Sequence, residues 1–141
     1  MRLTTKTRYG ARTLVHLARY QERGPVPIVQ IAAAQGLSIK YLEQILSQLR
    51  AAGLVRSVRG AQGGYILARP ASQMTLREVF EVLEGAEGLV ECTAHPEQCA
   101  RGTECALQEV WASLYTVCLD FLAKQTLADL ARRAEERQAQ Q

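Results

Sequence analysis

The stretch IVQIAAAQGLSIKYLEQILSQLRA, residues 28–51, decides the fold. From Ile28 to Gln35, residues Ile28, Ile31, Ala32 and Gln35 fall on one side of a short helix, and the alanine run allows close packing. Gly36 ends that helix, and Ser38 is placed to cap the next by accepting from the free amides of its first turn. In Ile39 to Ala51 the apolar residues Ile39, Leu42, Ile45, Leu46 and Leu49 keep a helical period, which leaves Lys40, Tyr41, Glu43, Gln44, Ser47 and Gln48 outside. A short helix, a glycine-containing turn and a second helix with a polar outer face form a helix-turn-helix pattern. The second helix is expected to enter the major groove of DNA, where donors and acceptors read base edges.

Working outward, Gly53 stops this helix and Leu54 to Arg59 alternates as a strand. Gly60 to Gly64 forms a flexible turn carrying Gln62, and Tyr65 to Arg69 returns before Pro70. The result is a hairpin wing whose Arg56 and Arg59 carry the charge to follow a phosphate ridge or enter a narrow minor groove. The turn lacks the Lys-Ser/Thr pair and the strand-to-helix placement of a nucleotide phosphate loop. Upstream, a helix is expected from about Thr4 to Tyr20, with Tyr9, Leu14, Leu17 and Ala18 apolar and Arg8, Arg12, Arg19 and Arg23 basic; His16 is expected to face water. Downstream, Thr75-Leu76-Arg77-Glu78 is a capping box, with Met74 and Val79 as its hydrophobic staple, opening a helix that reaches Gly85.

Charge divides the chain sharply. Residues 1–70 hold eleven Lys or Arg against two acids, a net of +9, whereas residues 71–141 hold six against twelve, a net of −6. The basic half is the one expected to meet a polyanion. A length of 141 residues fits one domain with an appendage, and no apolar run is long enough to span a membrane. The segment MRLTTKTRYG lacks the apolar core of a secretory signal, so a cytoplasmic location with reduced cysteines is expected.

The second informative stretch is ECTAHPEQCARGTEC, residues 91–105. Cys92, Cys99 and Cys105 are separated by six and five residues in a segment rich in turn-forming and polar residues, expected to be a ligand loop rather than helix or strand. Clustered thiolates suit soft metals. Structural zinc prefers four ligands with a tight pair of cysteines, and neither gap here is that short, so the spacing favours an iron-sulphur cluster. Zinc, a thiol switch and plain reduced thiols remain alternatives. Catalysis is not expected, since the chain has no C-x-x-C and only His16 and His95.

A long helix is expected from about Glu104 to Lys124, and its apolar face of Leu107, Trp111, Leu114, Tyr115, Leu119, Phe121 and Leu122 is wider than one small domain needs. Two such helices crossing at a twofold axis would place two reading heads on a pseudo-palindromic operator, so a homodimer is expected. Cys118 lies in that stripe and is read as core. Thr126 should cap a last helix containing Leu127, Leu130 and Ala131, with a polar, frayed tail after about Arg133.

Taken together, MRLTTKTRYG, the run Gly36 to Leu46, the wing Val58 to Tyr65 and the three-cysteine loop followed by Trp111 resemble the iron-sulphur cluster regulator family of winged-helix transcription factors, the IscR-like branch more than the NsrR-like one. The resemblance spans residues 1–135. It implies a mainly α fold with a small β wing: a winged helix-turn-helix DNA-binding domain at 1–85, a cluster-binding loop at 86–104, and a dimerisation helix with a C-terminal helix at 105–141. It implies a DNA-binding homodimer, a repressor or dual regulator responding to iron-sulphur, redox or nitric oxide status. By position, Ser38, Lys40, Tyr41, Glu43 and Gln44 would lie on the recognition helix, with Glu43 as a selectivity element, and Arg56, Arg59 and Gln62 on the wing. Cys92, Cys99 and Cys105 would hold the cluster, 2Fe-2S before 4Fe-4S. The family's fourth ligand does not transfer. The position of the IscR-like histidine holds Gln108, and that of the NsrR-like aspartate holds Arg8. His95 is the first candidate, with Glu104, Gln108 and Glu109 as alternatives; a cluster-free or zinc-bound regulator switched by its thiols is the competing reading.

Overall fold

The computed structural model describes residues 3–85 and 88–141, so Met1 and Arg2 and part of the expected 85/86 boundary lie outside the described residues. The architecture is mainly α with a small β wing. In chain order it comprises α1 (Thr5–Arg19), α2 (Ile28–Gln35), α3 (Ile39–Ala51), β1 (Val55–Val58), β2 (Gly64–Leu67), α4 (Leu76–Glu84), the single turn α5 (Glu91–Ala94), α6 (Ala106–Ala123) and α7 (Leu127–Ala139).

The helix-turn-helix forms where the sequence signals it. Gly36 takes a left-handed φ of 65°, a conformation that a side chain would strain, and its N–H closes the last turn of α2 on Ala32 and Ala33. Ser38 Oγ then accepts from the Tyr41 N–H at 3.2 Å and starts α3. Leu42, Ile45, Leu46 and Leu49 are fully buried, and each contributes about 1.5–3 kcal/mol of apolar burial. Ile39 departs from the expected stripe, being 42% exposed. At the first helical position its side chain leans back beyond the end of the helix, where no core lies beneath it.

The wing is a two-stranded antiparallel ribbon with Val55 opposite Leu67 and Val58 opposite Gly64. It does not stand alone. Val26 and Tyr65 exchange backbone hydrogen bonds of 3.0 and 2.9 Å, tying β2 to the segment between α1 and α2. Gly64 makes this approach possible, because a Cβ there would collide with the Val26 carbonyl.

Helix α1 forms the back of the reading head, with Leu14 and Leu17 in the core and α2, α3, α4 and α7 all packed against it. Its cap is tied to α4, since Glu84 Oε1 accepts from the Thr4 N–H at 2.7 Å and from the Thr4 hydroxyl at 2.8 Å. The capping box at Thr75 and Glu78 is present in full, and both staple residues, Met74 and Val79, are buried.

Four further expectations are corrected. His16 does not face water but is half-buried and stacks on Tyr20, with ring centroids 4.9 Å apart. The cysteine loop is not free of helix, since α5 and the single 3-10 turns Pro96–Gln98 and Gly102–Glu104 fold it locally. Cys118 is not core within one chain, because α6 has no buried residue and meets mainly α4. The tail after Arg133 is not frayed: α7 continues to Ala139, and Gln138 Oε1 accepts from Arg19 Nη2 at 2.6 Å. Leu127 and Ala131 bury one side of α7 against the head, and the N–H groups of Leu76 and Leu127 donate to Gln125 and Met74 respectively at 2.9 Å.

Candidate nucleic-acid interface and cysteine loop

The outer face of α3 presents Lys40, Glu43, Gln44, Ser47 and Gln48 to solvent in one array. Lys6, from the first turns of α1, joins this array and lines the same shallow depression. Sequence reading missed Lys6. Only its charge marked it, because 34 residues separate it from Lys40 and no local pattern connects them. Tyr41 is the exception on this face. Its ring is half-buried and meets Tyr9 edge-on, with centroids 6.3 Å apart and planes at 89°, while the Arg12 guanidinium lies 5.4 Å from the centre of the Tyr9 ring. Ser38 is exposed, with its oxygen engaged as the cap of α3. Arg56 is exposed on β1, and Arg59 and Gln62 are exposed at the tip of the wing. The arrangement suits a duplex: a helix with paired donors and acceptors for base edges, flanked by cations at Lys6, Lys40, Arg56 and Arg59 for phosphates.

The cysteine loop sits between α4 and α6. Cys92 lies in α5, Cys99 follows the turn Pro96–Gln98, and Cys105 immediately precedes α6; all three are partly exposed and carry free thiols. Gln108 Nε2 donates to the Cys92 carbonyl at 2.8 Å, which sets its side-chain amide beside the first of these cysteines. His95 is exposed, with Nδ1 3.5 Å from Glu97 Oε1. Glu104 and Glu109 are exposed and border, with Cys105 and Gln108, one shallow depression. Among the described residues, no three His, Cys, Asp or Glu side chains converge closely enough to share a single metal ion. Three soft thiol donors fit the chemistry of an iron-sulphur cluster, whose anchoring points are spread by its bridging sulphides.

A family model described as Rrf2, iron-dependent transcriptional regulator, matches residues 3–133. The chain belongs to the Rrf2 family. The HTH-type transcriptional regulator IscR of Pectobacterium atrosepticum is 37% identical over 135 residues, 96% of this chain and 82% of that protein. Among solved structures, IscR of T. potens superposes with a TM-score of 0.80 at 38% identity, covering 98% of this chain and 91% of that one. The global cysteine regulator CymR of B. subtilis gives 0.81 at 36% identity, covering 94% and 98%. These likenesses agree with the expected winged-helix fold and with the expected IscR-like resemblance. The Rrf2-family chain is a DNA-binding transcriptional regulator and not an enzyme. No helix among its described residues is long and apolar enough to cross a membrane.

Proposed function

We propose that this Rrf2-family regulator is a cytoplasmic homodimer whose operator binding is set by an iron-sulphur cluster, 2Fe-2S before 4Fe-4S, held by Cys92, Cys99 and Cys105. The observation that carries this reading is the position of the three partly exposed thiols, on the one connection between α4 of the reading head and the long helix α6. Bound there, a cluster supplies an oxidisable centre that cross-links the loop.

The chain's own residues do the rest. Ser38 and Tyr41 fix the start of α3; Lys40, Glu43 and Gln44 meet base edges; Lys6, Arg56, Arg59 and Gln62 meet the backbone of a pseudo-palindromic duplex. Glu43 selects among operators, since a carboxylate accepts from cytosine and is repelled by phosphate. Leu107, Val110, Trp111, Leu114, Val117 and Phe121 are all 36–63% exposed on α6 and supply the contact between two copies. A coupling of about 1–3 kcal/mol between loop state and operator affinity is enough for regulation.

The test is anaerobic purification with iron, sulphide and zinc analysis, followed by binding of duplexes selected in vitro to loaded and stripped protein at one salt concentration. Equal affinity of the two forms for every selected duplex refutes cluster control. A second reading is favoured by one contact. The hydrogen bond from Gln108 to the Cys92 carbonyl ties the first cysteine of the loop to α6, the link through which a change at a thiol would reach that helix, and this reading accords with the likeness to a cysteine regulator. Loss of response to peroxide in Cys99→Ser protein that contains no iron would establish it.

A further inference from the structure

A groove of about 770 Å³ lies between α1, α2 and α7, within the range of small-molecule sites. Arg12, His16 and Arg19 line it from α1 and Arg133 and Arg137 from α7, and no carboxylate is among its lining residues. Val15, Leu76 and Leu130 give it an apolar side. The acids on α7 neutralise only one of these cations. Asp129 and Glu136 pair with Arg132 and Glu135 pairs with Arg19 Nε at 3.8 Å, which leaves Arg12, Arg133 and Arg137 with no carboxylate partner among the described residues.

Arg19 Nε is enclosed and meets Glu135 at ion-pair distance without a hydrogen bond, while its Nη2 donates to the neutral amide of Gln138. Arg133 likewise finds a neutral partner, Gln125 Oε1 at 3.2 Å. Like charges gathered over an apolar surface, three of them without a carboxylate partner among the described residues, describe a site short of counter-charge. His16 reports the same field: burial, then the nearby Arg19, holds its imidazole below the ordinary pKa.

We propose that this groove binds a small organic anion, a carboxylate or phosphate monoester on an apolar body. The groove shares no residue with the cysteine loop or with the outer face of α3. Its ligand is therefore a second input to the same reading head, independent of the fate of the thiols.

Calorimetry and proton NMR on the full chain without DNA, using salicylate and phenyl phosphate as probes, test this. One saturable site per chain is expected for at least one probe, with a rise in the His16 pKa as the anion offsets Arg19, while the His95 signal stays in place. The stronger probe identifies the head group. Arg133→Gln/Arg137→Gln, two exposed positions, should weaken binding at least tenfold with unchanged thermal unfolding. Absence of saturable binding by both probes, saturation that leaves His16 unmoved, or equal affinity in the double variant overturns the proposal. Loss of operator affinity in the double variant, with neither probe binding, also overturns it and reassigns the groove to the DNA backbone.

Discussion

The side-chain amide of Gln108, in the first turn of α6, donates to the backbone carbonyl of Cys92 at 2.8 Å across sixteen residues of chain. One neutral hydrogen bond thus joins the base of the long helix to the first cysteine of the loop. Gln108→Ala removes a bond worth about 1 kcal/mol. Iodoacetamide labelling of Cys92, followed by peptide mass spectrometry, should become several-fold faster while labelling of Cys118 is unchanged. An unchanged Cys92 rate would mean that the contact does not restrain the loop.

Lys6 extends the cationic border of α3 from a different helix. Lys6→Ala should weaken binding to all duplexes alike and lower the slope of log affinity against log salt by about 1, the signature of one lost phosphate contact. Glu43→Ala should instead alter the ranking of duplexes with little effect on that slope. Fluorescence anisotropy titrations across a salt series separate the two outcomes.

Exposed apolar residues on α6 recur at 107, 110, 111, 114, 117 and 121, a spacing that lays a seam along one face. Leu114→Glu places a charge in its middle. Sedimentation should show monomers where the parent chain shows dimers, with far-UV circular dichroism retained and operator affinity reduced by tenfold or more through loss of the second half-site. A parent chain that already sediments as a monomer would refute the seam.

Glu78 makes the stability of α4 depend on acid. Burial pushes its carboxyl up, but the Arg69 guanidinium at 2.5 Å and the Thr75 N–H at 2.9 Å outweigh burial and hold its pKa below the ordinary 4.5. A pKa depressed in the folded state contributes stability that is present above pH 4.5 and is lost as pH falls through the folded value. Glu78→Gln should flatten the dependence of melting temperature on pH below 4.5 and leave the pH 5–6 region parallel to the parent. The side chain is partly exposed, so salt should reduce the effect.

What was legible in the sequence is what is decided within one turn of chain. Ser38 caps α3 and Thr75 caps α4 because cap and amide lie three residues apart, and the pattern Leu42, Ile45, Leu46, Leu49 names its own buried face. The contacts that escaped reading are long in sequence. Lys6 meets the α3 array and Arg19 meets Gln138 only because α1 is the surface on which later elements are laid. The polar composition after Arg133 reads as a free tail, yet one side of α7 carries Leu127, Leu130, Ala131 and Ala134, enough to seat it. His16 illustrates the converse. A lone histidine on a basic helix gives no hint that it will share a groove with α7.

The two hydrogen bonds from Thr4 to Glu84 join the first cap of the reading head to the last residue of α4, where the chain departs toward the cysteines. Displacing residue 84 must either carry Thr4 with it or break both bonds. The first turn of α1, with Lys6 on it, is thus harnessed to the stem of the loop. In the regulator proposed above, a pull on that stem would reach Lys6 through these two hydrogen bonds.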